Sequence, residues 1–339
     1  MATIRDVARK AGVSVATVSY VINEGTRAVA PATRARVLQA MEALNYHPNA
    51  SARQLAKQRS GAIGVVLAGL QSTSNFADAY FLGYIHGISY AAELYGHNVV
   101  LLTNYQGADK LTFLRQTIRS RLVDGFLLIG SSIPDEVVVS LHREKCPAVL
   151  IARRVPGHTV CSVQQDYFQG AYEATHHLTE RGYRRIGFLG QALNFSYALE
   201  RLQGYQKALS EAGLPYEAAL VKIPMQSRDD PALEEVRALL AAGADALITD
   251  REIAVLNHLR ALGVQVGDEV ALVGLDESEA AAALDVPLTT LRPPKFALGR
   301  RAVEMLLDLI EGRTPEPLEA TLPMELIVRR SSPPRPAMH

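Results

Sequence analysis

Apolar positions near the start of the chain recur at helical spacing. Ile4, Val7, Ala8 and Ala11 fall on one face of a segment that starts after Thr3 and stops at Gly12. Thr3 and Asp6 are spaced as a capping box in which Asp replaces the usual Glu, and Gly12 can turn left-handed to end the helix. Ser14 is placed to cap a second helix from Val15, with Val18, Val21 and Ile22 inward. Val15, Ala16, Thr17, Ser19, Tyr20 and Asn23 remain on the outer and flanking faces. Two helices joined by so short a turn form a helix-turn-helix. Its outer face of small and hydroxyl-bearing residues can approach base edges and phosphates closely. A third helix is predicted from Pro31 to about Leu44, with Val37, Leu38, Met41 and Leu44 closing a three-helix core. Tyr46-His47-Pro48 breaks it.

Residues 49 to 58 carry good helix formers but almost no apolar face. A helix this short forms only when something packs on it, and Leu55 is a large apolar group on an otherwise polar linker. From Gly61 the pattern becomes near-continuous apolar runs alternating with amphipathic stretches. Strands are predicted at 62–68, 99–102, 125–129 and 148–151, and again at 185–189, 246–248 and 270–275. Helices such as 81–95, 170–181 and 201–212 lie between them. Apolar strands separated by helices mean parallel sheets covered on both faces, and two series mean two similar α/β lobes. Ligands of such sheets bind at the carboxyl ends of strands, so a cleft between the lobes is the expected small-molecule site.

A length of 339 residues implies more than one domain. The chain is neutral overall, yet residues 1 to 60 hold nine Lys or Arg against three acids, and the remainder is acidic by the same margin. A basic head on an acidic body suits a phosphate-seeking module attached to a ligand-binding one. Cys146 and Cys161 have no paired or metal-like spacing, which fits a reduced cytoplasmic protein with two buried thiols. No apolar run reaches membrane length and no signal-peptide core is present, so no membrane partner is expected. Gly187-Phe188-Leu189-Gly190 lacks the full dinucleotide fingerprint and reads as a strand end. No Walker loop, nucleophile elbow or metal-spaced cluster occurs, so neither an enzyme nor a cofactor is expected. The adjacent His176 and His177 read as part of a surface helix.

In their order along the chain, the motifs resemble the LacI/GalR family of bacterial transcriptional regulators. Thr3-Ile4-Arg5-Asp6-Val7-Ala8, Gly12-Val13-Ser14, Ala16-Thr17-Val18-Ser19 and Val21-Ile22-Asn23 match its head. Leu44-Asn45-Tyr46-His47-Pro48-Asn49-Ala50 and Ala52-Arg53-Gln54-Leu55 match its hinge. Further matches are Arg181-Gly182-Tyr183, Arg201-Leu202-Gln203-Gly204-Tyr205, Val273-Gly274-Leu275-Asp276, Leu288-Thr289-Thr290-Leu291 and Leu326-Ile327-Val328-Arg329-Arg330-Ser331. The resemblance implies a head over 1–48, a hinge over 49–60 and a periplasmic-binding-protein-like effector domain over 61–339. Its first lobe is expected at about 61–160 and 292–322, its second at about 161–291 and 323–332. It also implies a homodimer reading a near-palindromic operator in double-stranded DNA. Hinge helices would enter the minor groove, with Leu55 wedged into a base step and Asn49 and Ala52 beside it. A small-molecule effector would bias DNA affinity by binding two states unequally.

Some positions depart from the family pattern. Val15 and Ala16 at the leading base-reading positions touch thymine methyls rather than hydrogen-bond, and Tyr20 replaces a common Arg. Ala30 forfeits a cap on the third helix. For the effector, the resemblance implies Tyr80 and Phe81 as an aromatic pair, Ser131 and Arg153 on the first lobe, and Arg201 and Asp276 as polar anchors. Phe195 and Tyr197 add aromatic surface. Ala152 stands where many relatives have Asp, and Asp250-Arg251 replaces an Asn-Asp pair. These changes make the cleft more basic and point to an anionic effector such as a phosphorylated sugar or sugar acid. The opposing reading is that Arg251 pairs with Asp250 or faces solvent. A regulator that answers to a protein partner, or to nothing, is the alternative.

Overall fold

The computed structural model describes residues 2–23, 29–46, 59–67, 75–102, 109–130, 133–193, 195–224, 233–277 and 279–335, without the side chains of residues 23, 75–80, 279 and 280. Three helices, α1 (Ile4–Ala11), α2 (Val15–Asn23) and α3 (Pro31–Ala43), form the head. The capping box is present: the Asp6 amide donates to Thr3 Oγ1 at 3.4 Å and the Thr3 amide to Asp6 Oδ2 at 3.0 Å. Gly12 ends α1 in the left-handed region at φ 65°. Val7, Val18, Val21, Val37 and Ala40 are buried together. Leu38, expected in that core, is 48% exposed. The packing face of α3 runs through 37, 40, 41 and 44, and a residue one step past Val37 lies about 100° around the helix. Ala30 makes no side-chain cap.

The first of two six-stranded sheets contains β1 (Ala62–Leu67), β2 (Asn98–Leu102), β3 (Gly125–Ile129), β4 (Ala148–Ile151), β5 (Ser162–Gln165) and β11 (Glu319–Leu322), in the order β11-β5-β4-β3-β1-β2. Every pairing in it is parallel. The second contains β6 (Ile186–Leu189), β7 (Val221–Lys222), β8 (Ala246–Thr249), β9 (Ala271–Gly274), β10 (Thr289–Arg292) and β12 (Glu325–Ile327), in the order β12-β10-β9-β8-β6-β7. Only its β10–β12 pairing is antiparallel. Remaining helices are α4 (Asn75–Leu94), α5 (Lys110–Arg119), α6 (Asp135–Arg143), α7 (Tyr167–Glu180), α8 (Ser196–Glu211), α9 (Leu233–Ala241), α10 (Glu252–Ala261), α11 (Glu279–Ala282) and α12 (Lys295–Ile310).

The chain changes lobe three times: after β5, between β10 and α12, and between β11 and β12. Because β5 pairs with β4 and β11, the first crossover follows Gln165, later than the boundary near 160 expected from sequence. Strands β5, β10, β11 and β12 had no apolar run to announce them. Ser162, Gln164, Gln165, Thr289 and Thr290 are all buried nonetheless: Thr289 bonds Ser332 and Arg329, Thr290 accepts from Arg329 and Gln164 donates to Glu200, whereas Ser162 Oγ and the Gln165 side-chain amide have no hydrogen-bond partner among the described residues.

Each lobe has one helix pair in near backbone contact. A Cβ on Gly87 of α4 would lie 2.0 Å from the Phe296 carbonyl oxygen of α12, and one on Gly204 of α8 would lie 2.2 Å from that of Phe168 in α7. In the second lobe residues 328–335 form a strap. Ser331 Oγ donates to the Leu272 carbonyl (2.5 Å), Arg181 donates to the Ser332 carbonyl (2.9 Å) and Arg335 pairs with Asp245 (2.9 Å). His177 Nε2 lies 2.8 Å from Ser332 Oγ. His177 is therefore buried rather than part of the surface expected from sequence: the strap covers it. Cys161 is buried, but Cys146 is only half-buried. Burial pushes the thiols up to about 12 and about 11, so neither is a thiolate at neutral pH.

Candidate DNA-reading face and inter-lobe cleft

The turn before α2 orients its outer face. Ser14 Oγ accepts the Thr17 amide at 3.1 Å and lies 2.9 Å from Thr17 Oγ1, so both hydroxyls take part in the cap. Val18 and Val21 are buried against α1 and α3, which turns Val15 (42% exposed), Ala16 and Tyr20 (39% exposed) outward. Thr3, at the start of α1, is also exposed, and Ser19 is half-buried. The α2 span ends at Asn23, whose side chain is outside the described set, and Asn49, Ala52 and Leu55 of the expected hinge lie outside the described residues.

The cleft is built where strand ends converge. Asp250 and Arg251 follow β8, Leu275 and Asp276 follow β9, and Arg201 reaches in from α8. Arg201 pairs with Asp250 (2.9 Å), donates to the Leu275 carbonyl (3.1 Å), and lies 5.0 and 5.7 Å from the ring centres of Tyr167 and Tyr197. Burial, the largest single influence, opposes its charge, but Asp250, Tyr167, Asp276 and Tyr197 together outweigh that cost and raise its pKa. Phe195 stacks on Tyr197 (5.4 Å between centres, 9° between planes), and Tyr197 leans on Tyr167 at 5.5 Å.

Arg251 is not offered to solvent. Its Nε is 3.5 Å from Asp250 Oδ1, its Nη2 donates to the Gly190 carbonyl at 2.5 Å, and its side chain is 6% exposed. One buried carboxylate thus serves two guanidinium groups. Of the two readings of Arg251, its geometry matches the one in which it pairs with Asp250. Arg153 is also committed within its own lobe: its guanidinium pairs with Asp135 (2.6 Å) and donates to the Ile133 carbonyl (2.6 Å). Phe81 is 7% exposed and belongs to the first-lobe core, where the start of α4 packs on the sheet, so it is no open aromatic wall. Ser131 lies outside the described residues, as does the side chain of Tyr80.

Several cleft residues were missed from sequence. Tyr167 opens α7 just past the first crossover, and its hydroxyl donates to the Ala152 carbonyl of the first lobe at 2.6 Å. Ala152 adopts φ 67°, a left-handed conformation that costs a non-glycine residue energy. Gln164 of β5 donates to Glu200 of α8 across the lobes at 3.1 Å, and burial, only partly offset by that bond, raises the Glu200 pKa. Lys295 Nζ of the first lobe is 3.6 Å from Asp276 Oδ1 of the second. Tyr167 and Lys295 each follow the end of a strand at a crossover, and that position is the signal by which they could have been found.

A basic helix-turn-helix head joined to two α/β lobes that enclose a polar and aromatic cleft defines a class: regulators in which a ligand-binding body controls a DNA-reading head. Residues 3–49 match the family described as bacterial regulatory proteins, lacI family, and residues 175–332 match the periplasmic binding protein-like domain. The chain is 34% identical over 336 residues to the HTH-type transcriptional regulator CelR of Thermobifida fusca, covering 97% of this chain and 98% of that protein. It is 35% identical over 346 residues to the HTH-type transcriptional regulator GalR of Escherichia coli (strain K12), covering 100% and 97%. Among solved structures, a CelR–cellobiose complex aligns with TM-score 0.71 and 33% identity over 98% of this chain and 100% of that one. The lac repressor dimer bound to operator and the anti-inducer ONPF aligns with TM-score 0.79 over 98% and 99%; at 24% identity this likeness concerns the fold. The chain belongs to the LacI/GalR family of transcriptional regulators.

Proposed function

We propose that the chain is a repressor that binds a near-palindromic operator as a homodimer and releases or gains affinity when a small molecule occupies the inter-lobe cleft. The DNA reading rests on the outer face of α2, where Val15, Ala16 and Tyr20 are exposed while Val18, Val21 and Ile22 pack into the head core. Val15 and Ala16 favour thymine methyl contacts. Leu55 acts as the hinge wedge. The dimer reading is supported by large apolar groups left exposed on one side of the first lobe: Leu82, Tyr90 and Leu94 on α4 and Leu101 on the edge strand β2. Among the described residues no helix is long and apolar enough to cross a membrane.

The effector is a neutral polyhydroxylated molecule. The observation that carries this is the Arg251–Asp250–Arg201 array: both guanidinium groups already face a carboxylate, so neither is left to neutralise an incoming phosphate. Hydroxyls both donate and accept, which suits alternating acid and base, and the Phe195–Tyr197–Tyr167 rings offer stacking faces. Selection of genomic fragments with the full-length protein, followed by anisotropy on the recovered site, tests the DNA reading. Enrichment of a palindrome, with Leu55→Ala markedly weaker, is expected; failure to enrich any site with the effector panel present refutes it. Calorimetry with neutral saccharides and their phosphates tests the cleft. Binding of phosphates alone overturns the neutral reading, and no response to any metabolite moves control to a protein partner.

A further inference from the structure

We propose that the effector body touches the operator itself: a cationic face on the C-terminal ends of α5 and α6, at the end of the first lobe where the hinge enters, contacts the backbone phosphates beside the groove that the hinge occupies. This rests on the reading of the chain as a DNA-binding regulator. Strands of the first sheet are parallel and the helices between them run back, so the C-termini of α4, α5, α6 and α12 share the end at which β1 begins. The chain arriving from the head docks at this end. The Ser60 and Gly61 amides both donate to Asp124 at 2.7 Å, and Arg59 donates to the Ile310 carbonyl that closes α12 at 3.0 Å. Leu55 precedes Arg59 by four residues, about 6 Å along a helix, so a hinge seated in the minor groove brings this end of the lobe onto the duplex.

The ends of α5 and α6 are built alike. One reads Arg119-Ser120-Arg121 and the other Arg143-Glu144-Lys145, with a cation as the last helical residue and a second cation after the cap. All four cations are exposed, and none of them makes a salt bridge among the described residues. The neighbouring acids are engaged elsewhere: Glu144 accepts from Arg115 Nε at 3.0 Å across the two helices, and Asp124 holds the two hinge-end amides. Arg121 and Lys145 also stand at φ 55° and 54°, in the left-handed region where L side chains lose energy. The other two helices of this end make the same turn on Gly96 (φ 70°) and Gly312 (φ 78°), and Arg313 beside Gly312 is neutralised by Asp308 and Glu311. Cations in a last turn complement a helix dipole, and Arg119 and Arg143 alone would do that. Glycine at 121 and 145 would relieve the backbone, yet the chain keeps two strained cations on neighbouring helices of a body whose net charge is negative. Strain of this kind persists where a side chain has a task, and unpaired cations at the entry of a DNA-bound hinge suit a polyanion. The contact is to phosphates and therefore independent of sequence; it joins the lobe to the duplex directly rather than through the hinge alone.

The test is the salt dependence of affinity, read by anisotropy with the full-length protein on the operator recovered by genomic selection. Arg121→Gly/Lys145→Gly removes both cations and suits the backbone, so it should melt at or above the wild type. Its operator affinity should be at least about tenfold weaker at roughly 0.1 M salt, and its slope of log affinity against log salt shallower by about 2. Arg121→Lys/Lys145→Arg should keep the wild-type slope. Arg184→Gln/Arg237→Gln, which removes two exposed cations of the second lobe, should leave the slope unchanged. A glycine double variant whose slope stays within about 0.5 of the wild type overturns the proposal and leaves these cations as dipole partners or as the seat of an acidic protein. An equal fall in the second-lobe pair overturns it as well, since total charge alone would then set the affinity. A wild type that binds no duplex refutes the DNA reading itself.

Discussion

Asp250 is the residue on which the cleft floor depends electrostatically. It is 4% exposed and pairs with Arg201 and Arg251, whose side chains are 7% and 6% exposed. Replacing it by Asn preserves shape and removes the charge. Breaking a buried pair from one side costs about 3–5 kcal/mol because a charge is left uncompensated. Here two cations are stranded, but each retains a backbone carbonyl, of Leu275 for Arg201 and of Gly190 for Arg251, which places the expected cost near the lower end, about 3 kcal/mol. At about 2–4 °C per kcal/mol for domains of this size, the melting temperature of Asp250→Asn should fall by roughly 6–12 °C. Scanning calorimetry of the full-length protein at pH 7.5 measures it. Adding Arg251→Met removes one stranded cation and should restore part of the loss. A single variant melting within about 2 °C of the wild type would refute the reasoning, since it would mean the guanidinium groups find water or another counter-charge.

His177 adds a pH dependence. Burial first, and the nearby Arg181 charge second, push its pKa down from 6.5 to about 4, so the folded chain resists a proton that the unfolded chain accepts. Stability from this group is whole above pH 6.5 and drains away as pH falls from 6.5 to 4, by about 3 kcal/mol in total. His177→Gln should lose less stability between pH 7.5 and 4.5 in urea titrations, and parallel losses in both proteins would contradict the assignment. Gly204→Ala and Gly87→Ala should each destabilise by at least about 1–3 kcal/mol, because the added methyl meets a backbone carbonyl that cannot swing aside; thermal melting checks both, and a neutral effect would mean the helix pairs can separate freely. Ser14→Ala removes the α2 cap, worth about 1 kcal/mol, and should speed amide exchange in α2 about fivefold without touching the lobes.

The head and the alternating lobes were legible because period and capping chemistry act locally. Thr3, Asp6, Gly12 and Ser14 carry their meaning within four residues of chain. The central strands announced themselves as apolar runs because they are buried on both faces. Edge strands did not: Ser162-Val163-Gln164-Gln165 is buried only because Gln164 meets Glu200 and β11 closes the sheet from far along the chain. The same distance effect explains the cleft. Arg251 looked like an available cation because sequence shows its neighbour Asp250 but not the carbonyl of Gly190 that fixes it in place. His177 looked like a surface residue because the serine that covers it lies 155 positions away. Arg153 and Phe81 were placed in the right region, but the partners they hold, Asp135 and the Ile133 carbonyl for Arg153 and the first-lobe core for Phe81, were not legible, since resemblance transfers position and not the partners that occupy a side chain.

The three crossovers also bear on the order in which the protein can be made. The first lobe draws α12 and β11 from the last fifth of the chain, and the second draws β12 and its strap from residues after them. While a ribosome is still short of residue 319, neither sheet has its full set of strands, although the head has long since emerged. An abandoned chain would therefore release a DNA-reading head with no finished body to pair or to silence it. Completing both sheets only with residues 319–327 leaves such a fragment with open sheet edges, which makes it an unfinished substrate for proteases rather than a folded, ungoverned competitor for the operator.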